Sequence, residues 1–198
     1  MPHWSGENWG PYGGATNKAG DFWVTGWGFN APGVRIDAAT LQVDYHANPG
    51  GRWFYGMALD AKGNPWVGGC DGGVYTFDTQ ANQWQTVANL GGCLRGLQVD
   101  TEGRAFIAYN GGACLVVVDT ETKQVINPGV QIPGCSTPVG VSIDVDGYVW
   151  VVDQGSGQAF KIDPDTYQVA LTVGGLDSPY TYSDMTGAGL NLVINPPG

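Results

Sequence analysis

The chain has 198 residues and a mass of 20.9 kDa, long enough for one well-buried domain. Its 18 acidic against 8 basic side chains give a net charge of −10, which repels phosphate backbones and anionic lipid surfaces and argues against nucleic-acid binding. No stretch approaches the ~20 apolar residues of a bilayer-crossing helix. The 33 glycines fall at turn positions between apolar runs rather than in low-complexity blocks.

Short alternating runs rich in Val, Tyr, Trp and Thr predict an all-β chain. Along it, an acidic or amide residue is followed three residues on by Gly, and three further on by a large apolar side chain. The copies are Asn17/Gly20/Trp23, Asp60/Gly63/Trp66, Asp100/Gly103/Phe106, Asp144/Gly147/Trp150 and Asp184/Gly187/Leu190. The glycines step by 43, 40, 44 and 40 residues, the mark of a repeat architecture. In each copy the carboxylate or amide folds back onto turn amides and the glycine takes positive φ, so the motif joins two strands in a tight hairpin.

A second hairpin follows in each period. Val34–Asp37 leads to Leu41–Val43, Val74–Asp78 to Trp84–Val87, Leu115–Asp119 to Gln124–Ile126, and Ala159–Asp163 to Gln168–Val173. Four antiparallel strands per period predict the blades of a β-propeller, spanning about 11–51, 54–92, 94–136 and 138–176, with a half blade at 178–195. Four and a half blades leave open sheet edges. Three closures are compatible with this: a fragment of a six- or seven-bladed ring, an irregular five-bladed ring, or assembly with another chain through the open blade edges.

The run Pro138-x-Gly140-x-x-x-Asp144-x-x-Gly147-x-x-Trp150-Val151, followed by Lys161-Ile162-Asp163-Pro164, resembles the NHL-like propellers. Within that group it looks most like the streptogramin B lyase family of secreted bacterial propellers. The similarity spans nearly the whole chain, but its motifs build blades and are shared by unrelated activities. The resemblance implies a His general base with a Glu and Mg²⁺ near the channel. The chain's histidines are His3 and His46 and its glutamates Glu7, Glu102 and Glu121; none matches that set, so no catalytic residue is carried over. No cofactor is expected, Ca²⁺ at an acidic turn such as Asp144-Val145-Asp146 or Mg²⁺ being the weak alternatives.

Cys70 and Cys93 hold the same places in one period that Cys114 and Cys135 hold in the next. In a propeller those loops share a face, so Cys70–Cys93 and Cys114–Cys135 disulfides are expected, and with them an extracytoplasmic location. Four free thiols are the alternative; the spacing does not suit zinc. The opening Met1-Pro2-His3 does not read as a signal peptide.

The recurring aspartates read as turn formers and Trp23, Trp66, Phe106 and Trp150 as core between blades. Positions that break the repeat are more informative. Tyr12, Tyr55, Arg95, Val139 and Tyr180 head the first strands and should ring the channel mouth, on the cysteine-bearing face. Trp27, Arg52, Trp53 and Asp153 come from loops of that face. Tyr12, Tyr55, Arg95, Tyr180, Trp27, Arg52, Trp53 and Asp153 together form a candidate cradle for a glycan, a peptide or a small anion. The reading is a secreted, periplasmic or cell-surface binding module. Alternatives are a lyase-like enzyme with its catalytic groups outside this chain, and a structural subunit of a surface assembly.

Overall fold

The structure is a computed structural model that describes residues 10–26, 28–181 and 185. Within them every regular element is a strand, as the alternating sequence pattern requires. The first sheet contains β1 (Pro11–Thr16), β2 (Phe22–Gly26), β4 (Gly33–Ile36) and β5 (Val43–His46), paired in that order. The short β3 (Gly28–Phe29) leaves this blade and joins the next, heading the order β3, β6 (Trp53–Leu59), β7 (Pro65–Gly69), β8 (Gly73–Asp78), β9 (Gln83–Asn89). The third sheet is β10 (Cys93–Val99), β11 (Arg104–Asn110), β12 (Leu115–Asp119) and β13 (Gln124–Val130). The fourth is β14 (Pro138–Ile143), β15 (Val149–Asp153), β16 (Gln158–Ile162) and β17 (Val169–Val173). All pairings are antiparallel, and the inner strands pack in the order β1, β6, β10, β14. This is a β-propeller architecture of four blades.

Local chemistry sets both hairpins of each blade. At Asp60, Asp100 and Asp144 the carboxylate Oδ1 accepts the N–H groups two and four residues on, and Asn17 does the same with its amide oxygen. The glycine that closes each turn sits at φ between 79° and 87°, where a Cβ would be strained. In the outer hairpins Asp37, Asp78, Asp119 and Asp163 accept the N–H groups two and three residues on.

The core lies between blades, where the large residue of one second strand packs against the next blade. Trp23 packs with Phe54, Met57 and Phe77 of the second blade. Trp66 packs with Leu97, Ile107 and Val118 of the third, and Phe106 with Val141, Val151 and Phe160 of the fourth. Blades approach so closely at Gly68 that a Cβ there would lie 2.9 Å from the Arg95 carbonyl oxygen, a spacing only glycine permits.

The half blade expected at 178–195 falls mostly outside the described residues. Tyr180, which the repeat placed at the head of a fifth first strand, is not in a strand, nor are Thr181 and Met185. Instead these described residues lie against the inner strands. Tyr180 hydrogen-bonds Tyr12 and Tyr55, Thr181 and Met185 press on Gly140, and the Met185 carbonyl accepts from Gln98 Nε2 at 2.9 Å.

Candidate ligand-binding site

Adjacent inner strands deliver one side chain each to the same end of the channel. Tyr12 comes from β1, Tyr55 from β6 and Arg95 from β10. The Tyr12 and Tyr55 rings meet edge to face, 5.0 Å between centroids. Tyr180 spans both, its hydroxyl 2.6 Å from that of Tyr12 and also hydrogen-bonded to that of Tyr55. The Arg95 guanidinium stands 5.9 Å from the Tyr55 ring centre, and its Nε donates to Cys93 Sγ at 3.5 Å. Four of the residues expected to form the cradle are therefore brought together. The fourth first-strand position, Val139 on β14, is fully buried.

The electrostatics of this cluster follow from burial. Desolvation, and then the hydrogen bonds to Tyr180 and Tyr55, hold the Tyr12 phenol far above its ordinary value. Burial pushes Tyr55 up to about 12. Both phenols are neutral at pH 7, so neither supplies a negative charge to Arg95. Among the described residues no carboxylate lies within ion-pairing distance of Arg95, whereas Arg35 has three, Arg104 two and Arg52 one. A half-buried cation without a counter-charge is costly and is the group at this mouth best placed to take an anion.

Arg52 is balanced differently. Its Nη1 lies 3.7 Å from Asp71 Oδ2 and its guanidinium stacks 5.4 Å from the Tyr75 ring centre. Tyr75 donates to the same carboxylate at 2.6 Å; burial and that hydrogen bond raise its pKa. Trp53, 38% exposed, pairs across the β3–β6 ladder with Phe29, 64% exposed, giving this rim an open aromatic edge. Trp27 lies outside the described residues.

Asp153 corrects the sequence reading. It is 0% exposed, and its carboxylate accepts from the N–H groups of Ser136, Thr137 and Gly155 and from Ser156 Oγ. Four donors turn the side chain inward, so it shapes a loop and cannot meet a ligand.

Both expected disulfides form, Cys70–Cys93 and Cys114–Cys135, closing 23 and 21 residues. The first matters most for the site. The Cys70 N–H donates to the Trp53 carbonyl at 2.9 Å, and Cys93 starts the strand that carries Arg95. One covalent link thus joins the aromatic rim to the cation.

Two cavities among the described residues lie on the opposite face, where the Asp-x-x-Gly turns are. One, of about 480 Å³, sits among the turns that follow β1, β6 and β10. The other, of about 680 Å³, separates the first blade from the second and is lined by Trp23 and His46. None of the residues expected in the cradle lines either cavity. The sequence reads Trp23 as core and gives no role to His46. The signal that marks this cleft is the single amide, Asn17, among otherwise acidic turn heads.

The sequence matches no family model and no curated protein. The fold is similar to solved propellers. The catalytically inactive virginiamycin B lyase from Staphylococcus aureus, solved with quinupristin, superposes with TM-score 0.75 at 13% identity over 86% of this chain and 57% of that one. A streptogramin B lyase does so with TM-score 0.70 at 15% identity, over 81% of this chain and 53% of that. A structure of the nidogen/laminin complex matches with TM-score 0.72 at 15% identity, over 86% of this chain and 66% of that. The chain thus spans between half and two thirds of the length of these propellers, and the resemblance to streptogramin B lyases holds for the fold.

Proposed function

We propose that this propeller is an extracytoplasmic binding module that captures an acidic ligand at the cysteine-bearing mouth of its channel. The ligand class is a carboxylate-bearing peptide or sugar. The observation that carries this reading is Arg95, a half-buried guanidinium over the Tyr55 ring with no carboxylate partner among the described residues. A planar guanidinium grips a carboxylate with two parallel hydrogen bonds. The neutral phenols beside it offer hydroxyls and ring faces without repelling an anion. The two disulfides support a compartment outside the reducing cytosol.

The test is a thermal-shift titration with glucuronate and with an N-acetylated dipeptide bearing a free C-terminus. The expected result is a saturable stabilisation by at least one probe that Arg95→Ala removes and Arg95→Lys only partly restores. Absence of any shift, or a shift that survives Arg95→Ala, overturns the proposal. The fold similarity to streptogramin lyases favours one competing reading, a lyase-like enzyme with its catalytic groups outside this chain. Turnover of a cyclic depsipeptide, lost with chelator and restored by Mg²⁺, would replace the binding-module reading with that one.

A further inference from the structure

The blades repeat one device, and the first breaks it. In the second and fourth blades the indole N–H of Trp66 and Trp150 donates to Oδ2 of the turn aspartate six residues earlier, Asp60 and Asp144, at 3.0 and 2.9 Å. The third blade has Phe106, which carries no N–H, and Arg104 Nε takes up Asp100 Oδ2 at 2.7 Å. The first blade keeps its tryptophan, Trp23, but has Asn17 at the turn. The Asn17 oxygen is occupied by the N–H groups of Ala19 and Asp21, and its Nδ2 donates to Asp21 Oδ2 at 3.1 Å. Trp23 Nε1 is left without an acceptor, although the side chain is only 2% exposed. Folding gains nothing from such a donor, and a well-packed chain ordinarily pairs it.

Trp23 lines the 680 Å³ cavity between the first and second blades, a volume within the range of small-ligand pockets. His46 stacks on it with ring centroids 5.1 Å apart and planes at 24°, and Phe77 covers the imidazole at 4.3 Å. The His46 Nε2 is likewise buried and without a hydrogen bond. Burial holds His46 below its ordinary pKa against the charge of Asp44 and a side-chain hydrogen bond from the imidazole to Asn82, with the charge of Arg35 adding to the lowering. The imidazole is neutral at pH 7, and its Nε2 can either give or take a hydrogen bond.

The charges of the lining define what enters. Arg35 is paired with Asp21 at 2.7 Å and Asp44 at 3.4 Å, and Lys62 with Glu121 at 2.6 Å. An anionic ligand would find no unpaired cation among the described lining residues, since Arg35 already answers three carboxylates and Lys62 one. What remains are two unpaired ring nitrogens beside aromatic faces, one a donor and the other able to play either part. A neutral polyhydroxylated ring fits that set: its hydroxyls give and accept, and its C–H face packs on an aromatic plane. We propose that the cleft between the first and second blades, at Trp23 and His46, binds a neutral sugar ring. This second site is independent of the channel mouth.

Titration with the methyl glycosides of glucose, galactose and mannose, followed by calorimetry and thermal shift, tests it. At least one is expected to bind the wild-type protein saturably. Trp23→Phe keeps the packed ring but deletes the N–H, so affinity should fall about tenfold or more while the unliganded protein melts no lower. Arg95→Ala should leave glycoside binding unchanged. If no glycoside binds, or if binding survives Trp23→Phe, the orphan nitrogens hold water alone and the proposal fails. If Arg95→Ala abolishes binding, the sugar sits at the channel mouth and the cleft is not its site.

Discussion

The hydroxyl of Tyr180 lies 2.6 Å from that of Tyr12, 168 residues away in the chain. Tyr180 also hydrogen-bonds Tyr55, so one side chain beyond the fourth blade ties together the inner strands of the first two. A link of this kind spans the mouth of the channel instead of extending a sheet, and it positions the phenols beside Arg95.

Tyr180→Phe removes both hydrogen bonds and keeps the ring. Net hydrogen-bond contributions of about 0.5–1.5 kcal/mol each predict a loss of roughly 1–2 kcal/mol in urea unfolding, with the slope unchanged. In the same variant the alkaline absorbance titration of Tyr12 and Tyr55 should shift downward, because their hydrogen bonds to Tyr180 contribute to their raised values.

Asp60→Ala should be among the most damaging turn substitutions. It strips acceptors from the N–H groups of Lys62 and Asn64 and from the indole of Trp66, which is 0% exposed. A buried donor left unpaired costs about 1–3 kcal/mol by itself, so a drop of roughly 3 kcal/mol is expected in chemical denaturation. Trp66→Phe introduced together with Asp60→Ala should recover part of it, because the orphaned N–H is then gone.

Reduction of the two disulfides should lower stability steeply. Closing loops of 23 and 21 residues restricts the unfolded chain by roughly 3 kcal/mol each in the chain-entropy description. The midpoint of urea unfolding with and without reductant measures the sum. The Cys70–Cys93 bridge alone should also affect ligand binding at Arg95, since it anchors that strand to the aromatic rim.

Acid should unfold the protein in two stages. His46 has a folded pKa lowered by burial, so its neutral form contributes stability above its unfolded value of about 6.5, and that contribution fades as pH falls below it. Hydrogen bonds from their own turns hold Asp37, Asp78, Asp119 and Asp163 low. At Asp21 and Asp144 burial pushes upward, but hydrogen bonds, from Ala38 and Arg35 at Asp21 and from Lys161 and Trp150 at Asp144, leave both lowered. These six carboxylates contribute stability that is intact above about pH 4 and disappears as pH falls below it. Equilibrium unfolding from pH 8 to 2 should therefore show a shallow decline near pH 6 and a steep one below pH 4, and His46→Phe should remove only the first.

The blades were legible because their instructions are local. Asp100 folds onto Glu102 and Arg104, and Gly103 takes positive φ, wherever the chain happens to sit. The channel cluster was legible through symmetry: Tyr12, Tyr55 and Arg95 occupy one repeat position, so one geometry places all three. Tyr180 reaches the same cluster by another route, from outside any strand, through its hydrogen bonds to Tyr12 and Tyr55. Asp153 reads in sequence like any polar rim residue, and only the fold places it at the end of β15 and turns its carboxylate onto the Ser136, Thr137, Gly155 and Ser156 donors.

What the sequence determined by itself is the module: strand alternation, turn chemistry, cysteine placement and the position of the large residue on each second strand. All of these depend on residues within one period, and short-range hydrogen bonds and burial enforce them. The tertiary structure decided what each space between modules contains. Asn17 in place of aspartate is visible in the chain, but its consequence is not. That consequence requires Trp23 and His46 of one blade to face Phe77 of the next across a gap. It also requires the gap's charges to be paired already, and such pairings form only once the blades have packed.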